Sequence, residues 1–159
     1  MAATTLTGLS GAALALEPAA GKAILTVSGK IDVTNGEGNA AFDLAMLEGL
    51  PQKTFTTHTP WSNQPVEFSG PLLRDVLGAV KARGGTLRAV ALNDYKVAIP
   101  AADAARFEVI IAHHMNGQPI PVRSKGPLFI VYPYDSSAEL RSSTYYERSI
   151  WQLKAIEVE

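Results

Sequence analysis

The sequence predicts an α+β domain, mostly β: a single mixed-sheet domain with few short helices. Three observations carry that expectation. Short β-branched or apolar runs recur with turn residues between them; only one segment holds a full helical stripe; and the strands follow one another too closely for βαβ crossovers throughout. The chain has 159 residues, enough for one domain to bury roughly two thirds of its unfolded surface without a disulfide or structural zinc. We place that domain at residues 22–159, with residues 1–21 as a signal-peptide remnant or a flexible tail.

The elements follow in order. Residues 1–20 are small, apolar and free of Lys and Arg. Ala13-Leu14-Ala15 before Leu16-Glu17-Pro18 resembles a cleavage site, but a secretory signal also needs a basic stretch ahead of its apolar one. The segment is too short and too rich in Thr, Ser and Gly to span a bilayer, so a soluble protein without direct membrane insertion is expected. Ala23 to Gly29 is β-branched and apolar and opens the sheet, and Asn35-Gly36-Glu37-Gly38-Asn39 is a turn. Asp43 caps a short helix, Leu44 to Leu50, that Pro51 stops. Lys53 to Thr57 is a Thr-rich strand running into the loop Thr59-Pro60-Trp61-Ser62-Asn63.

Leu72 to Arg83 is the clearest helix: Leu72, Leu73, Val76, Leu77 and Val80 share a face, Pro71 suits the first position and Gly84-Gly85 closes it. Leu87 to Leu92 and Tyr95 to Ile99 form a hairpin around Asn93-Asp94. Ala101 to Phe107 is a helical turn, Val109 to Ala112 a strand, and Met115 to Pro119 a turn. Leu128 to Pro133, continuously apolar, is a central strand buried on both faces. Trp151, Leu153 and Ala155 alternate with Gln152 and Lys154 in a last strand.

Composition removes several function classes. With 14 Lys and Arg against 15 Asp and Glu, no clustered positive charge marks a nucleic-acid surface. The chain contains no cysteine, which excludes cysteine nucleophiles, iron–sulfur clusters and thiolate-held metals. Gly36-x-Gly38-x-x-Ala41 fits a dinucleotide fingerprint only formally, because Glu37 would put a carboxylate in the anion site. Of the three histidines, His113 and His114 should point to opposite faces of a strand, and no metal site is expected. A nucleophile elbow is absent, and no catalytic residue is assigned.

Polar and aromatic residues instead gather at strand ends: Thr57-His58-Thr59-Pro60-Trp61, Asn93-Asp94-Tyr95, Arg123-Ser124-Lys125, Tyr132-Pro133-Tyr134-Asp135 and Tyr145 to Trp151. Loops on a rigid sheet are where binding chemistry concentrates. If they converge, they form a cleft with flat aromatic walls, a carboxylate for paired N–H groups and cationic donors, suited to a planar heterocycle. Taken singly, Trp61 and Trp151 also read as core residues, Asp94 as a turn residue and Arg148 as a surface partner of Glu147.

Val90-Ala91-Leu92-Asn93-Asp94-Tyr95 with Ile99-Pro100, then Met115-Asn116-Gly117-Gln118-Pro119-Ile120-Pro121, then Lys125 to Pro133, and finally Trp151 to Ile156 together resemble the sulfite-oxidase-type molybdopterin-binding fold, from about Ile24 to the C-terminus. That family holds its metal through a cysteine, and counting back from Trp61 puts its place at Thr57, a neutral hydroxyl that does not replace a thiolate. Phe129 stands where the family usually has an arginine. The chain is more similar to a cysteine-free group, the small periplasmic pterin-binding regulators of the PruR type. That resemblance implies a periplasmic, non-catalytic protein that senses a reduced, tetrahydromonapterin-like pterin without metal. It also implies a partner, a membrane-bound signalling protein of the cyclic-di-GMP cyclase and phosphodiesterase type that controls biofilm formation.

The site implied by the resemblance comprises Thr57, His58, Trp61, Asn93, Asp94, Tyr95, Arg123, Lys125, Tyr134, Asp135, Arg148, Ser149 and Trp151. Trp61 or Trp151 stacks on the ring, Asp94 or Asp135 takes its 2-amino and ring N–H groups, and Arg123 and Arg148 bind the carbonyl or the polyol tail. The alternative is a molybdopterin-dependent oxidoreductase, or a degenerate subunit of one.

Overall fold

A computed structural model describes residues 16–159; the expectation for residues 1–15 lies outside them. Strand β1 (Ala23–Gly29) and β2 (Asn39–Asp43) are antiparallel and joined by the turn expected at Asn35 to Asn39, where Asn35 and Gly36 N–H groups donate to the Asn39 carbonyl and Gly38 takes a φ of 76°. Asp43 caps α1 (Leu44–Glu48) by accepting from the Met46 N–H at 2.8 Å. Next come β3 (Gln52–Thr57), β4 (Val66–Pro71) and α2 (Leu73–Ala79). The hairpin of β5 (Thr86–Ala91) and β6 (Lys96–Pro100) follows, then α3 (Ala101–Arg106), β7 (Ile110–Ala112), β8 (His114–Met115), β9 (Gln118–Pro119) and β10 (Phe129–Val131). Two 3₁₀ turns, α4 (Ser143–Arg148) and β11 (Leu153–Val158) complete the chain.

Three sheets result. A five-stranded sheet runs β2-β1-β11-β5-β6, mixed because β1 and β11 are parallel and the other pairs antiparallel. A four-stranded sheet runs β3-β4-β8-β9. The pair β10-β7 is the seam between them. On one side Leu72 bridges Ile110 and the His113 N–H donates to Ser69; on the other, Ile130 donates to Ile150 and Leu153 to Leu128. Leu128 to Tyr132 are fully buried, the two-sided burial expected, but the strand is not central to a sheet: β10 covers Phe129–Val131 and has β7 as its one strand partner among the described residues.

Four local expectations are corrected. The helix expected over Leu72 to Arg83 ends at Ala79, because the Val80 carbonyl takes the N–H groups of Asp32 and Val33 and Lys81 turns left-handed at φ 50°. Pro71 closes β4 instead of opening the helix. Gly84 is required elsewhere: a Cβ there would lie 2.1 Å from the Glu159 carbonyl oxygen, where the last strand passes. The simple alternation expected from Trp151 fails because Gln152 has a φ of 51° and β11 bulges between Leu153 and Ala155, so that Leu153, Ile156 and Val158 face the core. Strands β2 and β4 and helix α4 are additions to the expected elements. None of the helices described is long and apolar enough to cross a membrane.

Candidate functional site

The expected loops converge on the two tryptophans. Trp61 sits at the centre of an edge-to-face aromatic cluster, with ring centroids 5.6 Å from Phe129, 5.8 Å from Tyr146, 6.2 Å from Tyr134 and 5.7 Å from Trp151. The two indoles stand at 89° to each other, a corner in which one ring can face a flat ligand while the other meets its edge. This corner walls a cleft of about 520 Å³, a size in the small-molecule range. Asn93 and Tyr95 enter it from the β5-β6 turn, Ser143, Tyr146 and Glu147 from α4, and Ser149 and Gln152 from the chain before β11. Its lining holds one carboxylate, Glu147, and no cation. A second cleft of about 240 Å³ lies across Trp61, between Phe68, Met115, Asn116, Lys125 and Phe129.

Of the residues expected at the site, Trp61, Asn93, Tyr95, Ser149 and Trp151 share the larger cleft, and Lys125 lines the smaller one with its Nζ 5.2 Å from the Trp151 ring centroid. The others are committed elsewhere. Asp94 occupies a left-handed turn position and pairs with Lys154 at 2.6 Å, which holds its carboxyl below the usual carboxylate range. Asp135 accepts from both the His58 backbone N–H (3.0 Å) and the His58 ring (2.7 Å), and its pKa is lowered for the same reason. Tyr134 is fully buried, its hydroxyl paired with Ser149; burial pushes the phenol's pKa up. Arg123 is exposed and lines neither cleft.

Arg148 requires the clearest revision. It pairs with neither Glu147 nor the cleft: its Nη1 donates at 2.8 Å to Oδ2 of Asp103, which also accepts the Tyr132 hydroxyl at 2.8 Å. Asp103 is 3% exposed. A buried carboxylate persists only when paired and hydrogen-bonded, and here it holds α4 against α3 and the β10 seam. The Tyr145 hydroxyl donates to Glu139 at 3.0 Å and fixes the same helix from its first turns. Because α4 carries Tyr146 and Glu147, this anchor sets one wall of the cleft. The carboxylate facing the cleft is therefore Glu147, not Asp94 or Asp135. The sequence signal for it is the Tyr145 to Trp151 stretch, which offers Arg148 as the ligand donor and Glu147 only as that residue's alternative surface partner.

The histidines also depart from expectation. His113 and His114 do not point apart. The pleat breaks between β7 and β8, where both residues face Ser69 as in a β-bulge, and their Nδ1 atoms meet at 2.5 Å. Burial and the neighbouring His114 lower the pKa of His113.

These features define the class. Residues 33–139 match the model of the oxidoreductase molybdopterin-binding domain, and the chain belongs to that family. Among solved structures it is similar to the sulfane dehydrogenase SoxCD from Paracoccus pantotrophus, at 15% identity and a TM-score of 0.64, over 84% of this chain. It spans 37% of the length of that dehydrogenase chain, and the likeness shows the fold. No curated protein sequence matches the chain.

A metal-loaded molybdopterin does not fit the residues present. Thr57 is 1% exposed, and its hydroxyl accepts from the Asp135 N–H at 3.1 Å and donates to the His58 carbonyl at 3.3 Å. That oxygen is a tie between loops, and the chain offers no thiolate in its place. The larger cleft has no cation to meet a phosphate. Among the described residues no buried side-chain nitrogen or oxygen lacks a partner, and neither cleft is lined by a histidine.

Asp103→Ala leaves Arg148 without its partner and should cost about 2–4 kcal/mol of stability, with loss of the near-ultraviolet dichroism of the tryptophan corner. Urea unfolding checks the first and dichroism the second; a loss below about 0.5 kcal/mol with an intact spectrum would mean that α4 is held by something else.

Proposed function

We propose that the chain is a non-catalytic pterin-binding protein that takes a reduced, tetrahydromonapterin-like pterin in the tryptophan-walled cleft. The observation that carries this reading is the corner made by the chain's only two tryptophans, open to a cleft with one carboxylate and no cation. A metal-free reduced pterin is planar at its pyrimidine end, neutral overall, and presents adjacent N–H donors. Glu147 accepts that pair of donors as a charge-assisted fork. Asn93 and Gln152, whose amides can both donate and accept, meet the ring carbonyl and remaining nitrogens, and an indole covers the ring face. Membership in a molybdopterin-binding family supports the ligand class, and the hydroxyl at Thr57 supports binding without redox chemistry.

The same reading gives the bound state an audience. Four of the five large hydrophobic residues exposed among those described, Leu92, Tyr95, Val122 and Trp151, border the mouth of the cleft or adjoin Gln152 within it. An apolar rim around a ligand site suits a partner that reads occupancy. We take that partner to be the periplasmic domain of a membrane-bound cyclic-di-GMP signalling protein, with this chain in the periplasm.

Anaerobic calorimetric titration with tetrahydromonapterin should give saturable one-to-one binding, weakened about tenfold by Trp151→Ala and by Glu147→Gln, about 1.4 kcal/mol each. Absence of heat at high micromolar ligand, or full affinity in both variants, would refute the pocket. In the native host, deleting the gene should change the cyclic-di-GMP level; an unchanged level would remove the signalling partner from the reading.

A further inference from the structure

The bulge between β7 and β8 assembles a site distinct from both clefts. Gln52, the first residue of β3, donates its Nε2 to the carbonyls of Leu47 (2.8 Å), Glu48 (3.3 Å) and Leu50 (2.7 Å), around the C-terminal end of α1. Those three acceptors fix the amide's orientation, so its Oε1 is the atom that faces Nε2 of His113 at 2.7 Å. A carbonyl oxygen only accepts, and His113 Nε2 must therefore carry the proton. Nδ1 of His113 is then a lone pair, held on a ring that is 7% exposed and aimed at Nδ1 of His114, 2.5 Å away. Without a cation, His114 supplies a proton to that lone pair. His114 is only partly buried and can carry its proton on Nε2 instead, which turns a second lone pair toward the same point.

We propose that His113 and His114 form a two-imidazole site for a divalent transition-metal ion, copper(II) above all, with water completing the coordination. Imidazole nitrogens suit copper, nickel and zinc, and copper(II) binds most tightly in that series. The spacing favours it further. With metal–nitrogen bonds of about 2.0 Å, cis nitrogens lie about 2.8 Å apart at the right angle of a tetragonal site and about 3.3 Å apart at the tetrahedral angle. At 2.5 Å the observed pair stands closer than either, and opens by about 0.3 Å to reach the first. A ligating histidine also usually gives its other N–H to a fixed oxygen, the role that Gln52 plays for His113. No cluster of three or more His, Cys, Asp or Glu side chains able to hold a metal occurs among the described residues, so the site has two protein ligands.

The test is titration of the full chain with copper(II) at neutral pH against glycine as a weak competitor, read by calorimetry and by electron paramagnetic resonance. The expected result is one copper per chain with hyperfine splitting from two imidazole nitrogens. His114→Ala should weaken binding at least about tenfold and leave one nitrogen, Gln52→Met should weaken it to a lesser degree, and His58→Ala should leave it unchanged. Undiminished binding in His114→Ala would overturn the assignment and place the metal elsewhere, at His58 or the amino terminus. A spectrum without two equivalent-class nitrogens in the unaltered chain would overturn it equally.

Discussion

The cleft depends on one buried carboxylate. Asp103, on α3, takes the Tyr132 hydroxyl from the central seam and the Arg148 guanidinium from α4 on a single oxygen. Tyr132 is fully buried, and burial together with Asp103 drives its pKa upward, so the phenol stays a donor. Two donors from different elements on one anion hold those elements in a fixed relation, and the rest of the site inherits it. Tyr146 and Glu147 precede Arg148 on the same short helix. Six residues of helix do not hold themselves together in water; α4 exists because its last turn is tied to Asp103 and its buried Tyr145 packs on Phe107 and Tyr132.

The second constraint is what the fold does with the position where its metal-holding relatives are expected to place a cysteine. Thr57 ends β3, and its hydroxyl accepts from Asp135 while His58 grips the Asp135 carboxylate. A position that could present a ligand to a cofactor instead ties two loops together. Phe129, at the place where the resemblance implies an arginine, is fully buried and packs edge-to-face on Trp61 and Phe68. Thr57 and Phe129 thus supply a loop tie and packing, and the larger cleft is aromatic with a single acid in its lining.

Much of this was legible in the sequence because it is local. The opening strand, the Asp43 cap, the Asn93-Asp94 hairpin and the two-faced apolar run at Leu128 to Pro133 each announce themselves within a few residues. The convergence of Trp61, Trp151, Asn93 and Tyr95 followed from the family resemblance as much as from their polar surroundings. The parts that escaped are long-range. Helix α4 has too few apolar positions to read as a helix, and its anchor lies 45 residues upstream. Asp94 and Lys154 are 60 residues apart, and His58 and Asp135 are 77; those pairings remove three polar candidates from the cleft without any local sign. The His113-His114 pair turned inward because a bulge breaks the alternation that strand geometry implies, and nothing in the two residues themselves marks it.

Both indoles face one cleft, and the chain supplies its own reporters of what enters it. It has two tryptophans, so a nitrogen–proton correlation spectrum of labelled protein contains two indole N–H signals, one for each wall. Anaerobic titration with tetrahydromonapterin should move both signals together and saturate at one ligand per chain. If neither indole signal moves at saturation, or if binding shifts only resonances remote from Trp61 and Trp151, the cleft is not the pterin site.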